Sequence, residues 1–418
     1  MERKKLLSCT IPSLAIFMAV IMLAGTLFAS EAKEAVLHNF GVGSDGQAPY
    51  GRVISDAAGN LYGTTAFGGT SGLGIVFELT NLGAPAGWTE TVLYNFAGGS
   101  DGSRPYGGLI FDSAGNLYGT TYYGGTSSDG TVYQLTPPGA RGGAWTETVL
   151  YSFAGYDGMG PQGDLIFDQA GNLYGTTSGG GSRQSDGFVF QLTPPTVQGG
   201  AWTEHVLWNF YSIEGTSPRA ALTFGKNGWL YGTLANGGRP RARAGAVFRL
   251  KPPPAKGTQW SERTLYTFSG GADGYGPLCS LVLFKGSLYG TTVKGGASNS
   301  GVIFQLTPPA SHHGPWVETV LHSFTCGSDG CLPWAGLTMD KNGVFYGTTQ
   351  YGGLPSNGGT VFRLKQESGT WTESVLFSFK SSSNQLPAAD LLLGDRGTLY
   401  GTTIGSGMNA GMVFKLVP

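Results

Sequence analysis

The chain of 418 residues is rich in glycine, with 72 residues, and poor in charged residues, which make up 12% of it. Glycine shows no Gly-X-Y period, which excludes a collagen helix, and hydrophobic residues make up 40%, which argues against disorder. The formal net charge of −1 provides no long-range attraction to nucleic acid or to an anionic membrane.

The N-terminal segment has the composition of a secretory signal. Basic residues at 3–5 precede an apolar run over 6–28, and Ala29, Ser30 and Ala32 offer cleavage sites. We therefore expect residues 1–32 to be a signal peptide and residues 33–418 to form the folded domain. Because the apolar run approaches the length of a bilayer span, a retained N-terminal anchor is the alternative. Either interpretation predicts a secreted, periplasmic or cell-surface protein.

One short string, Leu-Tyr-Gly-Thr-Thr, recurs with small variations through the rest of the chain. Its seven copies place their tyrosines at Tyr62, Tyr118, Tyr174, Tyr231, Tyr289, Tyr346 and Tyr400. Neighbouring tyrosines lie between 54 residues apart (346 to 400) and 58 residues apart (231 to 289). Seven units of this length account for everything after the N-terminal segment, so a repeat architecture is predicted.

Each unit contains four short runs rich in β-branched and aromatic residues, here called A to D in chain order. In the second unit they cover residues 108–112, 116–121, 130–135 and 145–153. Runs A and B are joined by a turn with Asp112 as side-chain acceptor and a glycine that takes a positive φ. Four antiparallel strands repeated seven times predict an all-β fold, a seven-bladed β-propeller.

The phase of the repeat predicts a closed ring. Residues 34–40 match a run D, at 90–96 in the first unit, and the chain ends with a run C at residues 411–416. The last blade thus lacks an outer strand of its own. We expect the N-terminal strand to complete that blade, because doing so removes an open sheet edge.

Run D carries two recurring residues. A tryptophan opens it in six units, and we expect this ring to pack against the neighbouring blade. A glutamate recurs in all seven units, where we expect an exposed charge that opposes aggregation between sheets. These glutamates are Glu34, Glu90, Glu147, Glu204, Glu262, Glu318 and Glu373.

Three cysteines follow the N-terminal segment. The spacing of Cys326 and Cys331 favours a disulfide in an oxidising compartment, with Cys279 free or buried. A zinc site needs about four ligands, and no second cysteine or histidine pair at ligand spacing accompanies these two.

The repeated residues resemble a known family. The Leu-Tyr-Gly-Thr-Thr string, the following Gly-Gly and the Gly-Thr-Val-Phe-Gln-Leu run are similar to the Gloeo/Verruco (GloVer) tandem repeat, over residues 34–418. This resemblance implies an exported bacterial protein and brings no catalytic residues with it. The order Gly124-Gly125, Tyr133, Trp145 is also similar to a kelch blade, which supplies an architectural analogy only.

The loops between runs D and A, and between B and C, are the first place to look for a site, because propeller ligands usually meet that face. Five D–A loops carry an Asp-Gly pair, at Asp45, Asp101, Asp157, Asp273 and Asp329. One interpretation is a ring of carboxylates that holds a cation or sugar hydroxyls. The other is turn chemistry, since Asp and Gly are the residues that a tight turn selects.

The B–C loops add aromatic side chains beside paired glycines. Stacking on a ligand and filling gaps between blades both suit these rings, which are Phe67, Tyr122, Tyr123 and Tyr351. The fourth blade has Arg219 in its D–A loop in place of the Asp-Gly pair, and its B–C loop carries Arg239, Arg241 and Arg243. Guanidinium groups suit carboxylate or phosphate, so an anion site is one interpretation and a solvated loop the other.

Signatures of catalysis are absent from the sequence. The chain contains no HExxH motif, P-loop or dinucleotide fingerprint. None of its five histidines is expected to act as a general base at the D–A and B–C loops. We therefore favour a non-catalytic extracytoplasmic module that binds polysaccharide or protein as a monomer. The alternatives are a glycosidase or lyase that uses carboxylates at the channel mouth, and a structural cell-surface protein. No cofactor is expected, since one carboxylate per loop gives little support for Ca²⁺.

Overall fold

The computed structural model describes residues 32–41, 44–83, 87–140, 142–181, 186–197, 199–211, 213–238, 243–254, 259–310, 314–355, 357–380, 385–405 and 410–418. The predicted signal segment, apart from residue 32, lies outside this description. Ala32–Pro418 form one compact unit. In the described part of the chain, no helix has the length and apolar character needed to cross a membrane.

Seven sheets of four antiparallel strands each, paired in the order A-B-C-D, form the ring. The innermost strands, A, are Ile54–Ser55, Ile110–Phe111, Ile166–Phe167, Thr223–Phe224, Val282–Phe284, Thr338–Met339 and Leu392–Leu393. Strands B are Leu61–Thr65, Leu117–Thr121, Leu173–Gly179, Leu230–Leu234, Ser287–Thr292, Phe345–Thr349 and Leu399–Thr403.

The two outer strands of each blade are longer. Strands C are Ile75–Asn81, Thr131–Thr136, Phe188–Thr193, Ala246–Lys251, Val302–Thr307, Asn357–Glu367 and Met412–Val417. Strands D are Trp88–Asn95, Thr146–Ser152, Thr203–Asn209, Ser261–Thr267, Val317–Ser323, Thr370–Lys380 and, in the seventh blade, Lys33–Asn39. The predicted all-β, seven-bladed propeller is confirmed.

The remaining regular elements are short. Gly46–Gln47 pairs with Phe67–Gly68, and Met159–Pro161 pairs with strand B of the third blade. Two single 3-10 turns, Lys226–Gly228 and Asp395–Gly397, join strands A and B in the fourth and seventh blades.

The Leu-Tyr-Gly-Thr-Thr string forms strand B, and its glycine and first threonine have clear physical roles. A Cβ on Gly119 would lie 2.5 Å from the hydroxyl of Tyr133, so the facing aromatic ring leaves no space for a side chain. The first threonine donates its hydroxyl to a carbonyl of the next blade, as Thr64 Oγ1 does to Gly107 O at 2.8 Å. The string therefore stabilises both the blade interior and the contact between blades.

The N-terminal strand lies beside the last strand of the chain. Lys33–Asn39 pairs antiparallel with Met412–Val417 through six residue pairs, with a bulge after Val36. Phe40, which follows the strand, is 5% exposed and packs edge-to-face on Phe77 at 5.1 Å. The ring is also joined at strand B, where Thr402 Oγ1 donates to Gly51 O at 3.3 Å.

The recurring tryptophans of strand D pack between blades, as predicted. Trp88 meets the ring of Tyr400 at 6.4 Å, and Trp371 meets that of Tyr289 at 6.0 Å. The recurring glutamates differ from the expectation of an exposed charge. They are half-buried, and this burial raises the pKa of Glu147, to which the charge of Asp101 adds.

One core position departs from the repeat. Tyr133 occupies a place that phenylalanine holds in the other six units, and its buried hydroxyl has no hydrogen-bond partner among the described residues. A buried hydroxyl without a partner costs free energy. We expect Tyr133→Phe to raise the free energy of unfolding by about 1 kcal/mol, measured by chemical denaturation. The reverse change at an equivalent site, Phe190→Tyr, should lower it. An unchanged or lower stability of Tyr133→Phe would contradict this account.

Candidate functional site

The Asp-Gly carboxylates brace the D–A loops. Asp101 Oδ2 accepts a hydrogen bond from Ala97 N at 2.5 Å, and its other oxygen accepts one from the Tyr94 hydroxyl at 3.0 Å. Asp273 Oδ2 accepts hydrogen bonds from both Ser269 N, at 2.7 Å, and the Tyr266 hydroxyl, at 3.0 Å. Each carboxylate is thus held between its own loop and the preceding strand D, which favours the turn interpretation.

The other three Asp-Gly carboxylates also accept hydrogen bonds from their own D–A loops. Asp157 accepts from Ala154 N at 2.6 Å and Tyr151 at 2.5 Å. Asp45 and Asp329 accept from Gly41 N at 2.7 Å and Thr325 N at 2.9 Å, beside a histidine in each case. None of the five aspartates lines the central cavity described below.

Two histidines depart from the sequence expectation. His38 Nε2 lies 3.4 Å from Asp45 Oδ1, and His322 Nε2 lies 3.2 Å from Asp329 Oδ2. They occupy the place of Tyr94 in their own units, because the end of strand D points toward the D–A loop. Burial lowers the pKa of His322, while Asp329 opposes that shift. Because a tyrosine hydroxyl binds the turn aspartate in three other units, we infer that the histidine–aspartate pairs stabilise the turn.

The D–A and B–C loops share one face of the ring, here called the loop face. Backbone hydrogen bonds join the two kinds of loop, as between Ser103 and Tyr123, and between Cys331 and Tyr351. At the centre of this face is a cavity of about 130 Å³. Its rim is formed by the first residues of the seven innermost segments, which are Tyr50, Tyr106, Gln162, Arg219, Leu278, Trp334 and Ala388.

Charged side chains also line this cavity. Arg52 Nε donates to Asp164 Oδ2 at 2.7 Å across two blades, and Gly108 N donates to the same carboxylate at 2.5 Å. Asp390 accepts from Ser280 Oγ at 2.5 Å. Asp164 raises the pKa of Arg52, and burial raises the pKa of Asp390. The channel is a polar recess with paired groups at its base.

A row of tyrosines leads from this recess toward the second blade. The ring of Tyr50 meets Tyr106 at 5.1 Å, Tyr106 meets Tyr122 at 5.5 Å, and Tyr122 meets Tyr123 at 4.6 Å, all edge-to-face. The guanidinium of Arg104 lies 5.2 Å from the ring centre of Tyr123 and equally far from that of the neighbouring Phe67. The predicted B–C aromatics of the first two blades thus form one surface, whereas Tyr351 lies in the sixth blade.

A cleft of about 340 Å³ lies beside this row, between the second and third blades. Tyr122, Tyr123 and Met159 supply its apolar wall, and Asp129 lines it. Arg219 lines both this cleft and the central cavity, so the two spaces are adjacent. Burial raises the pKa of Asp129, to which the charge of Asp157 also contributes.

Exposed aromatic rings are concentrated on the loop face. Among the residues that the structure describes, fifteen large hydrophobic side chains are exposed, and nine of them lie on D–A or B–C loops. The nine include every exposed aromatic side chain of the described ranges: Tyr123, Tyr156, Met159, Tyr211, Ile213, Tyr275, Trp334, Tyr351 and Leu354. This concentration of exposed apolar groups makes the loop face the candidate binding surface.

The arginines of the fourth blade are described in part. Arg219 and Arg243 are exposed on the loop face, whereas Arg239 and Arg241 lie outside the described residues. Cys326 and Cys331 form a disulfide in the D–A loop that contains Asp329. Cys279 is buried and free, and burial raises the pKa of its thiol to about 11. No cluster of three or more metal-ligating side chains occurs within the described ranges.

Of the seven rim residues of the cavity, sequence reasoning identified Arg219 and missed the other six. They start a motif that recurs in every unit: a variable residue, a small residue, a second variable residue and then Val or Leu, as in Tyr50-Gly51-Arg52-Val53. The small residue is required because strands A approach closely, and a Cβ on Gly51 would lie 2.7 Å from Gly107 O. Aligning the seven units and reading the variable positions would have found the site.

Comparison with solved structures supports the fold. The extracellular domain of a protein classed as a one component system from B. thetaiotaomicron is 12% identical, with a TM-score of 0.54, over 92% of this chain and 41% of that one. The extracellular domain of a hybrid two component system from the same organism is 10% identical, with a TM-score of 0.49, over 90% and 39%. This chain therefore spans about two fifths of each.

A third structure has a more similar length. A protein of unknown function from Dyadobacter fermentans is 11% identical, with a TM-score of 0.48, over 93% of this chain and 99% of that one. At these identities the comparisons concern the fold and carry no argument about activity. Among curated proteins, none matches this chain.

The family is shown by the sequence itself. The model of the Gloeobacter/Verrucomicrobia repeat matches residues 22–166, 82–286, 141–352 and 242–418. These overlapping matches include all seven copies of the Leu-Tyr-Gly-Thr-Thr string that builds strand B. The chain therefore belongs to the Gloeobacter/Verrucomicrobia repeat family.

Proposed function

We propose that this protein is a non-catalytic extracytoplasmic module that binds a polysaccharide on its loop face. The observation that carries the proposal is the confinement of exposed aromatic rings to that face. Tyrosine and tryptophan side chains combine an apolar ring with a polar edge, and they lose little conformational freedom when they bind. Sugar rings also present an apolar face and polar edges, so the two surfaces are complementary.

The polar recess at the centre of the ring supports a sugar ligand. Gln162 and Arg219 lie at its rim, between Trp334 and the row of tyrosines. Ligand sites combine apolar walls with a few fixed polar groups that set orientation. A protein partner would instead favour a continuous apolar centre with a polar rim.

A binding role without catalysis suits the carboxylates of this face. Asp101 and Asp273 accept hydrogen bonds from their own loops, and Asp164 is paired with Arg52. A general acid or base must reach the bond that reacts, and these groups are already committed to structural contacts. The Cys326–Cys331 disulfide and the basic, apolar N-terminal segment support an oxidising compartment outside the cytoplasm.

Replacing two rings of the loop face should abolish most of the binding. We expect Tyr123→Ala with Trp334→Ala to weaken polysaccharide affinity at least about tenfold, because each lost stacking contact contributes ~0.5–1.5 kcal/mol beyond buried area. The measurement is isothermal titration calorimetry with ligands chosen from a glycan array.

The matched control removes exposed apolar groups from the opposite face. Leu82→Ala with Val197→Ala, both in C–D loops and both exposed, should leave affinity unchanged. A blank glycan array, or binding that tolerates the Tyr123 and Trp334 changes, would contradict the proposal. Release of shortened saccharides from a bound polymer would show catalysis and overturn the non-catalytic part.

A further inference from the structure

Three positive charges of the fourth and fifth blades lie exposed on the loop face. Arg219, Arg243 and Lys294 are exposed, and none of them forms an ion pair with a described carboxylate. Two other arginines of this face are engaged, because Arg52 is paired with Asp164 and Arg104 lies between two aromatic rings. The chain as a whole has a net charge of −1, so this sector is a local excess of positive charge.

Backbone hydrogen bonds join the loops that carry these three cations. The D–A loop before Arg219 is bonded to the next B–C loop, since Thr216 N donates to Asn236 O at 2.8 Å. The far end of that B–C loop, beside Arg243, accepts a bond from Gly276 N to Ala244 O at 2.8 Å. The three loops are therefore held in a fixed order around the ring.

The same chain of contacts continues to the third cation. Tyr275 N donates to Lys294 O at 2.7 Å, and Lys294 N donates to Tyr275 O at 3.0 Å. Tyr275 is one of the exposed aromatic rings of the loop face. A positive charge and a stacking ring are thus side by side in the fifth blade.

Arg219 links this sector to the proposed sugar site. It lines the central cavity and also the cleft walled by Tyr122, Tyr123 and Met159. The guanidinium is a planar fork that binds a carboxylate through two parallel hydrogen bonds. The turn carboxylate of the fifth blade, Asp273, is bound to Ser269 and Tyr266 within its own turn.

We infer that the ligand is a carboxylated polysaccharide, whose acid groups bind Arg219, Arg243 and Lys294 while its sugar rings stack on the exposed aromatics. This inference rests on the proposed function and names its ligand class. Stacking on aromatic rings alone would accept many sugars, whereas the positive charges would select acidic ones.

The test compares one polymer in two charge states. Polygalacturonate is titrated against the full chain, beside the same polymer after methyl esterification, which removes the charge and keeps the sugar. We expect esterification to weaken binding at least about tenfold. The affinity for polygalacturonate should also fall as salt rises from 50 to 500 mM, because exposed charges are screened (a Debye length of ~10 Å at 0.1 M).

The triple variant Arg219→Gln, Arg243→Gln, Lys294→Gln should bind polygalacturonate at least about tenfold more weakly than the parent chain. Its affinity for the methyl ester should equal that of the parent. Its control is Arg396→Gln, Lys226→Gln, Lys341→Gln, which removes three exposed charges from A–B turns on the opposite face and should change neither affinity. Equal binding of acid and ester, or tighter binding of dextran sulfate than of polygalacturonate, would overturn the inference. A polysaccharide bound through Tyr123 and Trp334 without any charge effect would leave the proposed function intact and remove only this inference.

Discussion

A chain without residues 33–40 should be less stable by at least about 5 kcal/mol than one that begins at residue 32. The deletion removes a strand that makes six residue pairs with Met412–Val417. It also removes Phe40, whose buried ring alone is worth ~3–5 kcal/mol by analogy with Phe-to-Ala changes. The strand left behind becomes an exposed sheet edge, which invites pairing with other chains.

The measurement is chemical denaturation of both chains, with size-exclusion chromatography to detect aggregates. A synthetic peptide of residues 33–40 added to the truncated chain should restore part of the lost stability, because the pairing is non-covalent. A second control, Phe40→Ala in the longer chain, separates the loss of the ring from the loss of the strand. Equal stability of the two chains would mean that the blade does not need this strand.

The stability of the propeller should fall as pH rises from about 5 to 8. Burial raises the pKa of six strand-D glutamates to about 7 or 8, and nearby carboxylates of the D–A loops contribute in most of them. These residues are Glu90, Glu147, Glu204, Glu262, Glu318 and Glu373. Because one such group recurs in every blade, their effects add around the ring.

The direction of the pH dependence of stability follows from the direction in which folding shifts each pKa. A carboxyl with a folded-state pKa above its ordinary value of 4.5 binds its proton more tightly in the folded chain. Its stabilising contribution is complete below about pH 4.5 and is lost as pH rises through about 7. Asp112 and Asp168 behave in the opposite way: hydrogen bonds from Asn116 and Asn172 lower their pKa values despite partial burial. Stability should therefore be greatest near pH 5.

A double variant, Glu147→Gln with Glu318→Gln, isolates the glutamate effect. Glutamine has the same shape and no charge, so the variant should melt several degrees higher than the parent at pH 8 and show a flatter pH profile. Glu367→Gln is the control, because Glu367 is exposed and pairs with Lys365 at 2.8 Å. Differential scanning fluorimetry from pH 4.5 to 8.5 makes the comparison. A parent whose melting temperature rises steadily through pH 7 would show that these carboxylates are not buried as described.

The ring of half-buried glutamates also changes how strand D is understood. Burial is the main cause of the raised pKa values of these side chains, and the charge of a D–A loop carboxylate adds to it, as Asp101 does for Glu147 and Asp273 for Glu318. Several have one buried carboxylate oxygen for which the described part of the chain offers no hydrogen-bond partner. Such an oxygen is costly when charged and tolerable when protonated, which ties blade-to-blade packing to pH.

The sequence by itself determined the blade number, the strand order and the place of the outer tryptophans. These follow from patterns within one unit, such as Leu117-Tyr118-Gly119-Thr120-Thr121 and its six copies. A glycine that must face a ring, or a turn that needs Asp and Gly, depends on neighbours a few residues away. Local chemistry is therefore enough to predict the strands, and the repeat period then predicts the ring.

Only the tertiary structure decided which loop residues meet. Arg52 and Asp164 are 112 residues apart, yet ring closure brings them together across the channel. Arg219 joins the cavity and the cleft for the same reason, and the five turn aspartates fail to converge because each is held beside its own strand D. Contacts between blades depend on the geometry of the closed ring, which no single unit encodes, and the candidate site is built from those contacts.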